Sequence, residues 1–385
     1  MRLAPCLILA LVACWALADE PSAKEIDALI EQLGDDDAAK REAAAKKLEE
    51  IGEPALEPVR KAEKSHADPD VRLRAALLYG VIEKKVWAEL RRFANHTDGV
   101  ITVAVSSDGK QAVSGCWKDG KDFVVRLWEV DSGKELKKLE GHTGVVTAVA
   151  FSHDGKRILS GGADLVARLW DAESGKELLK LKGERNMIYA IAFTPDDKQA
   201  VVGVNGPEVS VWDLKTGKVL RLLKGHSAGV RGLAISRDGK RLATASYDET
   251  VRIWDFDTGN VLHTLRGHKG WVGCVAFSPD DKWLASCGQD KTVRLWDVES
   301  GKEVRAFTGH AAEVLGVAFS PSGKRLLTGS HDKMALLLDA ETFKVLHRYE
   351  GHTDWVLGVT FTPDGKRALT ASYDKTVRVW PVVGK

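Results

Sequence analysis

The sequence predicts a mainly β chain, a seven-bladed β-propeller closed by an N-terminal strand, preceded by a small all-α domain. Three observations predict it. Trp128, Trp170, Trp212, Trp254 and Trp296 stand 42 residues apart. Gly-His pairs at 141–142, 225–226, 267–268, 309–310 and 351–352 keep the same step. The last repeat ends one strand early, and a matching segment stands ahead of the first. Self-similarity with a period of roughly 20–50 residues marks a repeat architecture.

Composition narrows the function classes. The chain has 385 residues, 44% of them apolar, with 56 Lys and Arg against 55 Asp and Glu. That composition argues against a disordered, collagen-like or multi-span membrane protein. The length exceeds what one core usually serves, so two domains or a long array are expected. A net charge of +1 gives no reason to expect nucleic acid as the main partner, which would want a strongly basic face. Five cysteines are too few for a disulfide scaffold.

Residues 1–18 read as a signal peptide. Arg2 supplies the positive start, Leu3 to Ala13 is almost wholly apolar, and Ala16-Leu17-Ala18 fits a small-x-small cleavage site before Asp19. The run is short for a span of roughly 20 residues. Export to the periplasm or outside the cell is expected. Leu11-Val12-Ala13-Cys14 also resembles a lipobox, so a lipoprotein anchored at Cys14 is the alternative. An uncleaved anchor is a third reading. Beyond the signal remain Cys116, Cys274 and Cys287. The last two lie on neighbouring strands of one hairpin. They oppose each other only with an even register, and a one-residue bulge would separate their faces. Buried free thiols are the preferred reading and a disulfide the alternative.

Residues 19–84 carry helical periodicity. Ile26, Leu29, Ile30 and Leu33 share a face, and Gly34 can stop that helix. Asp37 can cap a second helix with Ala44, Leu48 and Ile51, ending at Gly52. Pro54 suits the first turn of a third, with Leu56 and Val59. Asp68-Pro69 opens a fourth, carrying Val71, Leu73, Ala76, Leu77 and Val81. Arg41-Glu42-Ala43-Ala44-Ala45 and Asp68-Pro69-Asp70-Val71-Arg72 resemble HEAT-type repeats. The segment holds 11 basic and 17 acidic residues, net −6. Two solvated surfaces are the plain reading; docking of the helices on the following domain is the sharper one.

From residue 85 to 385 the period is two. In the fourth repeat, Val230 to Ile235 and Arg241 to Ser246 read as strands around the turn Ser236-Arg237-Asp238-Gly239-Lys240. Thr250 to Asp255 and Asn260 to Arg266 follow. Four short antiparallel strands per 42 residues suit one propeller blade. With the Gly-His pairs and Trp-Asp at 170–171, 212–213, 254–255 and 296–297, this resembles the WD40-repeat family. Four additional residues at Trp117–Lys121 read as a longer loop in the first repeat. Leu90 and Phe93 precede His96 as Leu220 and Leu223 precede His226. Val86 to Phe93 should therefore pair with Val377 to Val379 and leave no open edge.

The resemblance implies an internal hydrogen-bond chain in each blade. The groups are His142, Ser160, Asp164 and Trp170; His226, Thr244, Asp248 and Trp254; His268, Ser286, Asp290 and Trp296; and His352, Thr370, Asp374 and Trp380. Each set resembles a Ser-His-Asp triad, but a constellation recurring in most repeats is structural, and catalytic residues are expected to be none. The third repeat has Glu184, Val202 and Gly206 with Trp212, and the sixth has Leu338. Both are expected to rest on apolar packing and to be locally weaker. No Cys-x-x-Cys, His-x-x-x-His or Gly-rich phosphate loop is present, so no metal and no cofactor is expected. Asp35-Asp36-Asp37 reads as a helix start.

The family usually binds partners through loops on one face. Three positions per repeat point there by resemblance. They give Met187, Tyr189, Arg231, Tyr247, Trp271, Gln289, Glu313, His331, Trp355 and Tyr373, with Lys121 in the first repeat. Tyr, Trp and Arg dominate protein–protein hot spots. The competing reading is that these rings pack on neighbouring blades. The expected function is a non-enzymatic protein-interaction scaffold, monomeric, with a protein or peptide partner. A small-molecule or glycan binder using the same face is the alternative.

Overall fold

The computed structural model describes residues 21–117 and 123–383. The export-signal reading, including Arg2, Cys6, Cys14 and the cleavage before Asp19, lies outside them. So does Lys121. The chain divides into a helical unit up to Val86 and a unit from Trp87 to Val383.

Four helices form the first unit: α1 (Ala23–Gln32), α2 (Ala38–Ile51), α3 (Glu53–Ser65) and α4 (Pro69–Val86). Local chemistry sets their ends. The Asp37 carboxylate accepts from Ala39 N–H at 2.8 Å, and Asp68 accepts from Asp70 N–H at 2.8 Å. Such caps satisfy donors that the first helical turn cannot. Gly52, at φ 70°, turns the chain between α2 and α3. The core joins Ile26, Leu29, Ile30 and Leu33 to Leu48, Val59, Val71, Leu78 and Ile82. On α4 the expected face is wrong. Val71, Ala75, Leu78 and Ile82 are buried, while Leu73, Leu77 and Val81 are exposed. The helix carries two apolar stripes, and the 71-75-78-82 stripe meets α3. No described helix is long and apolar enough to cross a membrane.

Seven four-stranded antiparallel sheets follow among the described residues. Blades one to six are formed in chain order, by strands within 99–139, 146–182, 188–224, 230–265, 272–307 and 314–349. Strand one of every blade carries a one-residue bulge, as between Val230 and Gly232, which re-aims its side chains. Within each strand-two segment nearly every residue is buried, as in Arg241–Ser246, because both sheet faces meet a neighbouring blade. Most first turns place Gly at positive φ, as Gly239 at 73°. Asp197 and Asp281 take that conformation instead, both at φ 57°. A left-handed residue other than Gly is strained. Here the Asp197 carboxylate accepts the N–H groups of His153 and Asp154 in blade two. Asp281 does the same for Arg237 and Asp238 in blade four. The strain is offset by these ties between adjacent blades.

Blade seven takes three strands from the C-terminus, Val356–Phe361, Arg367–Ser372 and Val377–Pro381, and its outermost strand from the N-terminus. That strand is Arg91–Phe93, paired with Val377 to Val379. It is shorter than the expected Val86 to Phe93. Lys84, Lys85 and Val86 continue α4, and Trp87 then stacks on His347 with centroids 3.9 Å apart. Leu90 N–H adds one further bond, to Val379 O at 2.8 Å. Phe93 is fully buried and stacks on Trp128 of blade one at 5.1 Å.

Cys274 and Cys287 are directly opposed, because the bulge lies before Cys274 and leaves the turn register intact. Both are free thiols, as is Cys116. The Cys287 thiol beside Cys274 pulls the Cys274 pKa down to about 7, while burial pushes Cys287 up.

Phe93 anchors the closing strand. Phe93→Ala should therefore lower unfolding stability by about 3–5 kcal/mol. Urea denaturation followed by tryptophan fluorescence checks it. A loss below about 1 kcal/mol would mean that the ring does not depend on this strand.

Candidate interaction face around the central channel

Each regular blade is pinned by a buried polar chain. In blade two, Ser160 Oγ lies 2.7 Å from His142 Nε2 and accepts from Trp170 Nε1–H at 2.7 Å. His142 Nδ1 meets Asp164 at 2.9 Å. The same chain joins His226, Thr244, Asp248 and Trp254. It joins His268, Ser286, Asp290 and Trp296, and His352, Thr370, Asp374 and Trp380. Burial pushes the Asp164 carboxyl up, yet hydrogen bonds from His142, from Thr143 N–H and from Arg168 hold it down at about 2. The same opposition keeps Asp248, Asp290 and Asp374 well below the usual carboxylate range. These carboxylates stay charged and fix the imidazoles.

Sequence reasoning missed an arginine in this layer. It stands two residues before the tryptophan, at Arg126, Arg168, Arg252, Arg294 and Arg378. Arg168 reaches Asp164 at 3.2 Å and Glu177 at 2.6 Å. Arg378 reaches Asp374 at 3.5 Å and Glu89 at 2.9 Å. The 42-residue period would have exposed the series.

Blade three corrects an expectation. It does not rest on apolar packing alone. Ser210 Oγ bonds Glu184, and Trp212 Nε1–H donates to Ser210 at 2.7 Å and to Glu184 at 3.0 Å. A hydroxyl two residues before the tryptophan replaces the one that Val202 lacks. In blade six His310 keeps Asp332 and Thr328, both at 2.8 Å. Leu336 and Leu338 are fully buried there. The Phe307 and Phe343 rings meet edge to face at 6.4 Å and fill the space of the missing indole.

At one mouth of the ring the expected face residues converge. Tyr189, Arg231, Tyr247, His331, Trp355 and Tyr373 line a channel of about 580 Å³. Met187, Trp271, Gln289 and Glu313 are not in that wall. Tyr189 meets Tyr247 at 6.1 Å, and Tyr247 meets Trp271 at 6.2 Å. The Arg231 guanidinium lies 4.5 Å over Trp271 and donates to Tyr247 Oη at 3.1 Å. Across the mouth, His331 stacks on Trp355 at 4.1 Å, Trp355 meets Tyr373 at 5.3 Å, and Glu313 holds His331 at 3.2 Å. The rings thus pack on neighbouring blades and remain partly open to solvent, Trp355 to 41%. Burial raises the Tyr189 pKa to about 12 and lowers that of His331. Arg231 is the only Arg, Lys, Asp or Glu in the wall, among the described residues.

Trp117 also lines the channel. It ends the strand Gln111–Trp117 instead of opening a loop. Counted from the hydroxyl residue, Trp117 follows Ser114 as Tyr247 follows Thr244 and Tyr373 follows Thr370. Counting from the acid led to Lys121. Among the described residues no group of three or more His, Cys, Asp or Glu is placed to hold a metal ion.

Ser286→Ala should leave His268 Nε2 and Trp296 Nε1–H buried without their shared partner. At about 1–3 kcal/mol for each of the two groups, a stability loss of about 2–6 kcal/mol is expected by chemical denaturation. A loss within about 0.5 kcal/mol would show the chain to be energetically idle.

The family described as WD domain, G-beta repeat (WD40) matches residues 87–129, 133–171, 217–255, 259–297, 301–339 and 343–381. The stretch it passes over, 172–216, holds most of the altered third blade. No curated protein matches the chain. The 42-residue blades, their buried His-hydroxyl-Trp chains and the six matched repeats place this chain in the WD40 repeat family.

Proposed function

We propose that the chain is a non-enzymatic platform that holds a protein or peptide partner on the aromatic mouth of its channel, outside the cytoplasm. WD40 propellers generally serve as protein-interaction scaffolds. One observation carries the finer reading: two arcs of stacked rings, Tyr189-Tyr247-Trp271 and His331-Trp355-Tyr373, flank one opening. Large, rigid, partly exposed rings bind with little side-chain ordering cost, and an exposed tryptophan in a soluble unit needs a reason. The repeated polar chains serve the fold, so the reading assigns no nucleophile or base. A glycan or small molecule is the second reading, favoured by the 580 Å³ channel. Arg2, the apolar run after it and Ala16-Leu17-Ala18 support export.

Trp271→Ala/Trp355→Ala should fold as the parent does and lose at least about tenfold in partner affinity, the scale of a hot spot. Co-purification and titration read it. Full retention of all partners by the folded double variant would move the binding face elsewhere, and saturable sugar binding at the mouth would favour the second reading. N-terminal sequencing of the mature protein should begin at Asp19; a blocked, lipidated Cys14 would replace that reading.

A further inference from the structure

Blade three is distinguished by what is absent beneath Gly183. In blades two, four, five and seven an arginine Nη1 lies against the glycine of the Gly-His pair. Arg168 sits by Gly141, Arg252 by Gly225, Arg294 by Gly267 and Arg378 by Gly351. In three of these blades the guanidinium is held between two carboxylates: Asp164 and Glu177, Asp290 and Glu303, or Asp374 and Glu89. Blade three has Ser210 in the arginine position, Gly206 in the aspartate position and Val219 in the glutamate position. A Cβ placed at Gly183 would meet only the Trp212 ring within 4 Å. Blade six has lost its arginine too, but there the Phe307 ring lies against Gly309 and takes the space.

In blade three the space is open. A cavity of about 640 Å³ reaches Glu184, Ser210 and Trp212 between the aliphatic walls Val219 and Leu222. One carboxylate oxygen of Glu184 accepts from Ser210 and Trp212. The other has no hydrogen-bond or ion-pair partner among the described residues. Of the charged groups at the rim, Lys224 is paired with Glu208 at 3.1 Å, and Arg185 is exposed. A half-buried carboxylate with a free oxygen, beside an indole and an empty slot, calls for a planar cation. Guanidinium both forks onto a carboxylate and lies over an aromatic ring.

We propose that this cavity binds an alkylguanidinium group, which takes the place that the chain's own arginines hold in the other blades. The site is separate from the channel mouth and does not depend on what binds there. Two probes distinguish the sources: agmatine, for a small molecule, and acetyl-Gly-Arg-Gly-amide, for an arginine of a protein. Each is titrated into the full chain while the Trp212 indole N–H resonance is followed, assigned by its loss in Trp212→Phe.

A saturable shift is expected with at least one probe. Glu184→Gln should weaken it about tenfold or more, since a hydrogen bond to a charged group is lost. Ser210→Arg, which returns an internal guanidinium to the slot, should abolish it. Arg185→Ala should retain it, and the citrulline peptide should not bind. Tighter binding of the peptide identifies a protein source and tighter binding of agmatine a small molecule; both support the site. The proposal is overturned by no saturable shift with either probe. It is equally overturned by undiminished binding in folded Glu184→Gln or Ser210→Arg, or by loss of binding in Arg185→Ala.

Discussion

The hydroxyl of Ser160 touches an imidazole and an indole at once, 2.7 Å from each. The contact decides more than one bond. Indole N–H can only donate, so the hydroxyl oxygen accepts from it. The hydroxyl proton is then free for His142 Nε2, which leaves Nδ1–H for Asp164. Every member has one role, and the chain is satisfied in only one sense. Because buried polar groups without partners are costly, each blade of this kind holds its loop, second strand and third strand in a fixed relation. The blades are thin, with both faces buried, and no sheet has a private core. Order inside each blade is what lets neighbouring faces fit.

The two departures show how tightly the layer is coupled. Trp212 keeps its ring in blade three but has no hydroxyl at Val202 to meet, so Ser210 and Glu184 supply the acceptors. Leu338 in blade six removes the donor, and Thr328 then turns to the Leu336 carbonyl at 3.4 Å. In both blades the arginine has gone as well, to Ser210 and Leu336. In blades two, five and seven that arginine reaches the carboxylate of the polar chain.

Ring count, closure and the polar chains could be read from the sequence because each is written seven times, or nearly so. Periodicity averages away local ambiguity. The errors fall where an element is present once. Val86 looked like strand but is helix, since the residues joining two units obey no repeat. Leu73 and Leu77 were expected to share the buried face of α4, yet that helix has two apolar stripes, and only packing on α3 selects between them. Trp117 was assigned to a loop because the insertion after it shifts the count from the acid but not from the hydroxyl. Glu184 was read as a loss, since its compensating Ser210 lies on a strand position outside the expected set. Single-copy chemistry of that kind has no internal control in the sequence.

The same logic explains why the channel mouth can vary without harm to the fold. The rim residue sits between the hydroxyl and the acid of the polar chain, so its backbone is held from both sides. Tyr247 N–H donates to Gly229 O at 2.9 Å, and Tyr373 N–H donates to Trp355 O at 2.8 Å. Its side chain bears none of that work and points to the channel or its edge. Seven such positions carry Trp117, Ala163, Asn205, Tyr247, Gln289, His331 and Tyr373, with no common size or charge. Gly99 leaves room for the Tyr373 ring, whose atoms would lie 2.6 Å from any Cβ placed there. A rigid frame with free choice at its rim separates the residues that specify the structure from those that vary between blades. The blade frame does not require an aromatic residue at this rim, because Ala163 and Asn205 hold the same place in blades two and three.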